Sequence, residues 1–241
     1  MSSLAADVLG LPVPACPGWT IERLIGHTGR VHQWATAALR AGAIADDEVS
    51  GLRAGLPRPP AGAAVLDFYR AAHGALVAEL EATDPDEACW TFVGTRTKRF
   101  WFRRQAQELT VHRWDGEAAL VASGAGPEPE PIAVDVAADG VDEFLGLFLP
   151  RFLPPATDDV ERSLHLHGTD EPAPADGAEW LVRLGPDGPT VTTEHAKGDV
   201  ALRGRAEDLL LVLWRRRPLH VLEVLGDASV AERVLDQTRV T

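Results

Sequence analysis

The sequence predicts a chain of two parts: a bundle of four helices over residues 1–155, then a small α+β domain over residues 156–241. Three observations predict this. Apolar residues recur at three- and four-residue spacing in four stretches before residue 150, the pattern of helices with one buried face. Proline-rich and acidic segments at 150–155 and 169–177 then interrupt the chain. Short β-like runs follow, with helical ones after them, which is the order of an α+β domain.

The first helix starts after Pro17-Gly18-Trp19-Thr20, where Thr20 is placed to cap it and Glu22 falls in the first turn. Ile21, Leu24, Ile25, Val31, Trp34, Ala35, Ala38 and Leu39 then recur at helical spacing up to Gly42. Residues 51–62, rich in proline and glycine, read as a loop. The second helix spans 63–81, with Val65, Phe68, Tyr69, Ala72, Leu76 and Leu80 on one face. It stops near Thr83-Asp84-Pro85, because a residue before proline disfavours helix. The third spans 100–121 and carries Trp101, Leu109, Val111 and Trp114; residues 124–131 break it, and 132–149 form the fourth. Beyond the boundary near 155, strands are expected at 163–167, 180–184, 190–195 and 200–203. An apolar helix at 206–214, a strand at 219–225 and a last helix at 228–235 complete the chain.

With 45% hydrophobic and 24% charged residues, the composition is that of a globular protein able to bury a core. The longest obvious apolar run, 209–214, is far short of the roughly 18 residues a membrane helix needs. The first basic residue is Arg23, so no charged leader precedes an apolar segment, and a cytoplasmic protein is expected. Cys16 and Cys89 are the only cysteines, which argues against a disulfide scaffold and a cysteine-built zinc site. A net charge of −13 argues against nucleic acid and anionic membrane as partners. The charge is uneven: Arg96, Lys98, Arg99, Arg103, Arg104 and Arg113 form a basic stretch, while 128–179 is strongly acidic. Such a stretch is either a solvated helix face or a local field for a small anion.

Glu108 and His112 lie four apart on the third helix and share one face. Both can ligate zinc or a similar divalent ion, Glu through oxygen and His through nitrogen. Alone, such a pair is equally a helix-face hydrogen bond, and a third ligand is needed. His27 is the candidate, since positions 24, 27 and 31 follow the spacing of a core-facing stripe. His32 lies about 140° further round; His73, on the second helix, is a competitor. Two His and one Glu form the set found in catalytic zinc sites with open coordination positions.

Cys16-Pro17-Gly18-Trp19-Thr20, the Leu24-Ile25-Gly26-His27 run, and Arg104-Gln105-Ala106-Gln107-Glu108-Leu109-Thr110-Val111-His112-Arg113-Trp114-Asp115 resemble the mycothiol-dependent maleylpyruvate isomerase family of the DinB-like superfamily. The tail is similar too, in Gly198-Asp199-Val200-Ala201-Leu202-Arg203-Gly204, in the Asp208 to Pro218 stretch and in Gly226-Asp227. The resemblance covers nearly the whole chain. It implies a DinB-like four-helix bundle holding a divalent metal, most simply zinc, followed by an α+β domain similar to sterol carrier proteins. The family's ligands fall on His27, Glu108 and His112. Mycothiol is implied as thiol cofactor or cosubstrate, with a small, anionic electrophile as its partner in the reaction. A thiolate formed at the metal would add to that electrophile, making the chain an isomerase or a thiol S-transferase. The alternative is a metal- or small-molecule-binding protein of the same fold without turnover.

The resemblance also places a functional arginine in the second domain. Arg216 matches the first of the family's arginine pair and is preferred to Arg217; Arg215 stands where a small residue is expected. Gln107 stands where similar stretches often carry His, off the Glu108–His112 face. Cys16 precedes a helix N-terminus that would stabilise a thiolate, but the family takes its nucleophile from the small thiol. Trp19, Trp34, Trp101 and Trp114 read as packing residues, as does Cys89, and Asp115 is spaced either to hold the second ring nitrogen of His112 or to be solvated on the helix surface. The expected assembly is a monomer or homodimer.

Overall fold

A computed structural model of the chain describes residues 8–45, 48–156, 161–174 and 177–238. Residues 1–7, part of the stretch read for a leader, and residues 175–176 of the acidic loop expected at 169–177 lie outside the described residues. The chain forms two units, Met1–Glu130 and Pro131–Thr241.

The long helices described in the first unit are α1 (Ile21–Ala41), α3 (Ala64–Ala82) and α4 (Arg99–Ala122), with the short α2 (Val49–Ala54) between α1 and α3. The Thr20 hydroxyl accepts the Arg23 N–H at 3.3 Å, capping α1 as expected, and Gly42, at φ 66°, ends it. α1 packs on α3 at close range. A Cβ at Gly29 would lie 2.9 Å from a Phe68 ring carbon and 3.3 Å from the Tyr69 Cα, so the small residue sets this approach. Ile21, Leu24, Ile25, Val65, Leu66 and Tyr69 fill the space between. α2 takes up the head of the segment read as a loop at 51–62, a correction confined to its first four residues.

No strand was expected before residue 155, yet β1 (Ala88–Thr91) and β2 (Gly94–Thr97) form an antiparallel hairpin between α3 and α4. Four-residue strands carry too few alternations to register as a period. Their role is visible in the packing: Trp90, Cys89 and Trp101 are buried together with Leu39 and Leu76, and the Trp101 indole N–H donates to the Trp90 carbonyl at 3.0 Å.

The fourth helical stretch is α5 (Val134–Glu143), a π-helical turn at Phe144–Phe148, and α6 (Leu149–Phe152). It groups with the second unit, so the division falls between Glu130 and Pro131, where the sequence reading put it near 155 and counted this helix with the first part. The reason is its apolar face, which packs on α7 (Ala206–Leu213) and its end: the Phe144 and Phe148 rings meet Trp214 edge-on at 5.2 and 4.9 Å.

A five-stranded sheet completes the second unit, from β3 (Arg162–Gly168), β4 (Glu179–Gly185), β5 (Gly188–Thr192), β6 (Val200–Gly204) and β7 (Glu223–Gly226), in the order β5-β4-β3-β6-β7. β3 and β6 are parallel and the other pairings antiparallel, giving the mixed sheet of an α+β unit. Leu164 and Leu166 of β3 are buried in the core, so His165 and His167 between and beyond them face the other side of the sheet. α7 and α8 (Ala228–Gln237) match the expected helices. The strand expected at 190–195 stops at Thr192, and the one expected at 219–225 begins with a 3₁₀ turn, Leu219–Val221, and is strand only from Glu223. Among the described residues no helix is long and apolar enough to cross a membrane.

Candidate metal centre

α1 and α4 bring His27, Glu108 and His112 together, and one ligand atom from each lies within 4.8 Å of the others. His27 Nε2 is 3.1 Å from Glu108 Oε1, and His112 Nε2 is 3.3 Å from the same oxygen. The two rings stand nearly perpendicular with centroids 5.1 Å apart. Donor atoms around a tetrahedral zinc are roughly 3.3 Å apart, given metal–ligand distances near 2.0–2.1 Å, so these three need little movement to share one ion.

His27 reaches this point from the flank of the α1 stripe rather than its centre. The buried face runs through Leu24, Ile25, Thr28, His32, Ala35 and Leu39, and the His27 side chain is 36% exposed. The fully buried histidine is His32, at 1% exposure, which corrects the expected inward and outward assignment of the two. His32 Nδ1 is 2.8 Å from the Gln105 amide oxygen, and burial pushes its pKa down. His73 stacks on Tyr69 and meets His32 edge-on, so it packs with them and does not join the His27–Glu108–His112 group.

Each donor is held from behind. The Asp115 carboxylate, wholly buried, lies 2.9 Å from His112 Nδ1, the ligand-supporting one of the two positions its spacing left open; it fixes the ring so that Nε2 faces Glu108. The Cys16 thiol donates to the same carboxylate oxygen at 3.7 Å, which gives Cys16 a supporting position. The Arg104 guanidinium donates to Glu108 Oε2 at 3.2 Å, leaving Oε1 to the histidines. Trp19 lies against His27 at 4.9 Å and stacks over His112 at 6.4 Å, and the Arg23 guanidinium covers the Trp19 ring. Beside His27 a groove opens, lined by Trp19, Arg23, Gly26, Pro59 and Pro60.

The electrostatics favour positive charge here. Burial alone would raise the Glu108 pKa, but hydrogen bonds from His112 and His27 outweigh it and hold the carboxyl well below its usual range. Burial would lower the His112 pKa, but Asp115 and Glu108 overcome it and push the ring up to about 9. A field that binds a proton this firmly also suits a metal cation. The donor chemistry and the anchored tautomer fit a divalent ion.

Arg216 lies in the second unit, just past α7. Trp214 caps that helix, Arg215 turns the chain at φ 61°, and the Arg215 and Arg216 N–H groups donate back to the Val212 and Leu211 carbonyls. The Arg216 side chain donates to the Trp214 carbonyl at 2.8 Å and lies 5.8 Å from its ring. Arg217 is ion-paired with Asp208 and Glu207, and Arg215 with Asp236. The sequence reading missed a second group, His165, His167, Glu179 and His195, although His-Leu-His at strand spacing was there to signal it.

Residues 1–116 match the family model described as the mycothiol maleylpyruvate isomerase N-terminal domain, and residues 135–233 match the MDMPI C-terminal domain, the abbreviation standing for the same enzyme. No curated protein matches the chain by sequence. Among solved structures, the mycothiol-dependent maleylpyruvate isomerase is similar at 12% identity and a TM-score of 0.55, over 92% of this chain and 84% of that one. A histidine-to-alanine mutant of that enzyme matches at 11% identity, with the same TM-score and coverage. At such identity the likeness is one of fold. With both domain models matched in order over most of its length, the chain belongs to the mycothiol-dependent maleylpyruvate isomerase family of enzymes.

Proposed function

We propose that this chain is a mycothiol-dependent isomerase of the maleylpyruvate type, with one divalent ion, zinc, held by His27 Nε2, Glu108 Oε1 and His112 Nε2. The observation that carries the reading is the convergence of two imidazole nitrogens and one carboxylate oxygen, with Asp115 behind His112. When bound, the ion supplies a positive charge that lowers the pKa of a thiol and keeps it a nucleophile near neutral pH. The chain's own residues do the rest. Asp115 holds the Nδ1 proton of His112 and keeps Nε2 free as a donor. Arg104 fixes Glu108 so that one oxygen faces the histidines. Trp19 shields the rings from water, and the groove beside His27 admits the small thiol and electrophile.

Arg216 is proposed to hold a carboxylate of the substrate or a polar group of the thiol, with the two-pronged geometry that lysine lacks. Arg217 is tied to Glu207 and Asp208. We read the first unit as DinB-like, the second as similar to sterol carrier proteins, and the protein as a cytoplasmic monomer or homodimer. Its two cysteines, Cys16 and Cys89, are thiols outside any disulfide, which suits a reducing compartment. The test is turnover of maleylpyruvate by the zinc-loaded protein with mycothiol, followed by mass spectrometry. An unmodified trans isomer is expected. A released thiol conjugate would make the chain an S-transferase, and binding without either product would make it a binding protein.

A further inference from the structure

The second unit carries a cluster that the isomerase reading does not use. His165 and His167 alternate on β3 and so share one face, opposite to buried Leu164 and Leu166. Glu179 of β4 stands directly across from His167 in the antiparallel register. His195 comes from the connection between β5 and β6 and lies over the same face. Glu179 Oε2 is 3.1 Å from His165 Nε2, 3.5 Å from His167 Nδ1 and 2.5 Å from His195 Nδ1. The three rings are mutually near-perpendicular, with centroids 5.7 to 6.0 Å apart.

We propose that His165, His167, Glu179 and His195 form a second metal site, binding one divalent ion of the zinc class. Two arguments carry this beyond a hydrogen-bond cluster. Glu179 Oε2 has two lone pairs, and His165 Nε2 and His195 Nδ1 take both in hydrogen bonds, so His167 Nδ1, at 3.5 Å, faces the same oxygen without one; three imidazolium rings this close would repel one another. A cation instead takes one lone pair from each neutral ring and one from the carboxylate. Three nitrogens and one oxygen are a donor set that suits zinc, cobalt, nickel and copper, and the four protein ligands can close a tetrahedron.

The second argument is that the exposed ligand is already in place. His195 is 78% exposed, yet its segment is anchored on both sides. Before it, Arg183 donates to Glu194 at 3.0 Å. After it, the Asp199 carboxylate accepts the Ser163 N–H at 2.7 Å and the Ser163 hydroxyl at 2.8 Å. Gly198 permits this seating, since a Cβ there would lie 3.0 Å from the His165 nitrogen and 3.2 Å from the Ser163 carbonyl oxygen. The neighbouring Arg203 is engaged by Glu223 at 2.9 Å. The ion would pin the β5–β6 connection to β3 and β4, a structural role.

The test uses the full chain carrying His27→Ala and His112→Ala, so that failure of the first centre cannot mask the second. After incubation with zinc and gel filtration, elemental analysis should find one ion per chain. Cobalt substitution should give the visible absorption of a four-coordinate site, and X-ray absorption should show imidazole ligands. His195→Ala, at an exposed position that cannot disturb the core, should weaken zinc binding by about tenfold or more. Loss of the ion on gel filtration from folded protein would overturn the site. So would unchanged zinc affinity in His195→Ala.

Discussion

Asp115 touches no proposed ligand atom, yet it decides how His112 presents itself. Its carboxylate lies against Nδ1 in full burial, so Asp115→Asn, which keeps the shape and removes the charge, should weaken zinc binding about 10- to 100-fold while the fold survives. A competition titration with a chromophoric chelator measures this, and equal affinity would return Asp115 to a packing role. The same environment sets a pH dependence for the metal-free protein. The His112 pKa rises from 6.5 to about 9 on folding. Its contribution to stability is therefore complete below pH 6.5 and is lost as pH rises through 9. The thermal midpoint of chelator-treated protein should fall across that window, and His112→Gln should remove this component of the fall. The roles proposed for the two neighbouring arginines can be separated. Arg216→Lys should lower turnover with stability unchanged, since it keeps the charge and loses the fork. Arg217→Ala should cost about 1 kcal/mol of stability through its pairs with Glu207 and Asp208, with turnover per folded molecule retained.

Helices with a long apolar period were legible from sequence; short elements and partners were not. α1, α3, α4, α7 and α8 fall within a few residues of their expected spans, because each repeats its buried face several times. The hairpin Ala88–Thr97 and the helix Val49–Ala54 are too short to repeat anything. The small residue expected at 215 finds its reason here. Arg215 occupies the left-handed position that ends α7, where glycine is favoured and a side chain costs about 1 kcal/mol. Arg215→Gly should therefore raise stability by about 0.5–1 kcal/mol, net of the exposed Asp236 pair, as read from denaturant midpoints at constant m-value. No change would show that the turn is relaxed with arginine in place.

For the whole molecule, metal binding should couple to folding. Saturating zinc at about 100 times its dissociation constant adds roughly 2.7 kcal/mol per site to a native state that binds it alone. Chelation should accordingly lower the melting temperature of the full chain and zinc should restore it, with smaller restoration in His27→Ala/His112→Ala. A melting temperature indifferent to zinc and chelator would remove the metal from the folded state. By itself the sequence determined the helix-then-sheet order and the Glu108–His112 pair, because spacing along one helix fixes which residues share a face; whether Asp115 met His112 or solvent it left open. Tertiary structure decided which partners those faces meet. It set His27, the histidine the sequence reading chose, beside Glu108 from the flank of α1, while the buried stripe itself carries His32. It grouped Val134–Glu143 with the sheet unit, since a periodic apolar face says that it is buried but not against what. It also gathered His165, His167, Glu179 and His195 from two strands and a connection, a meeting set by strand register and loop anchoring that spacing along the chain does not encode.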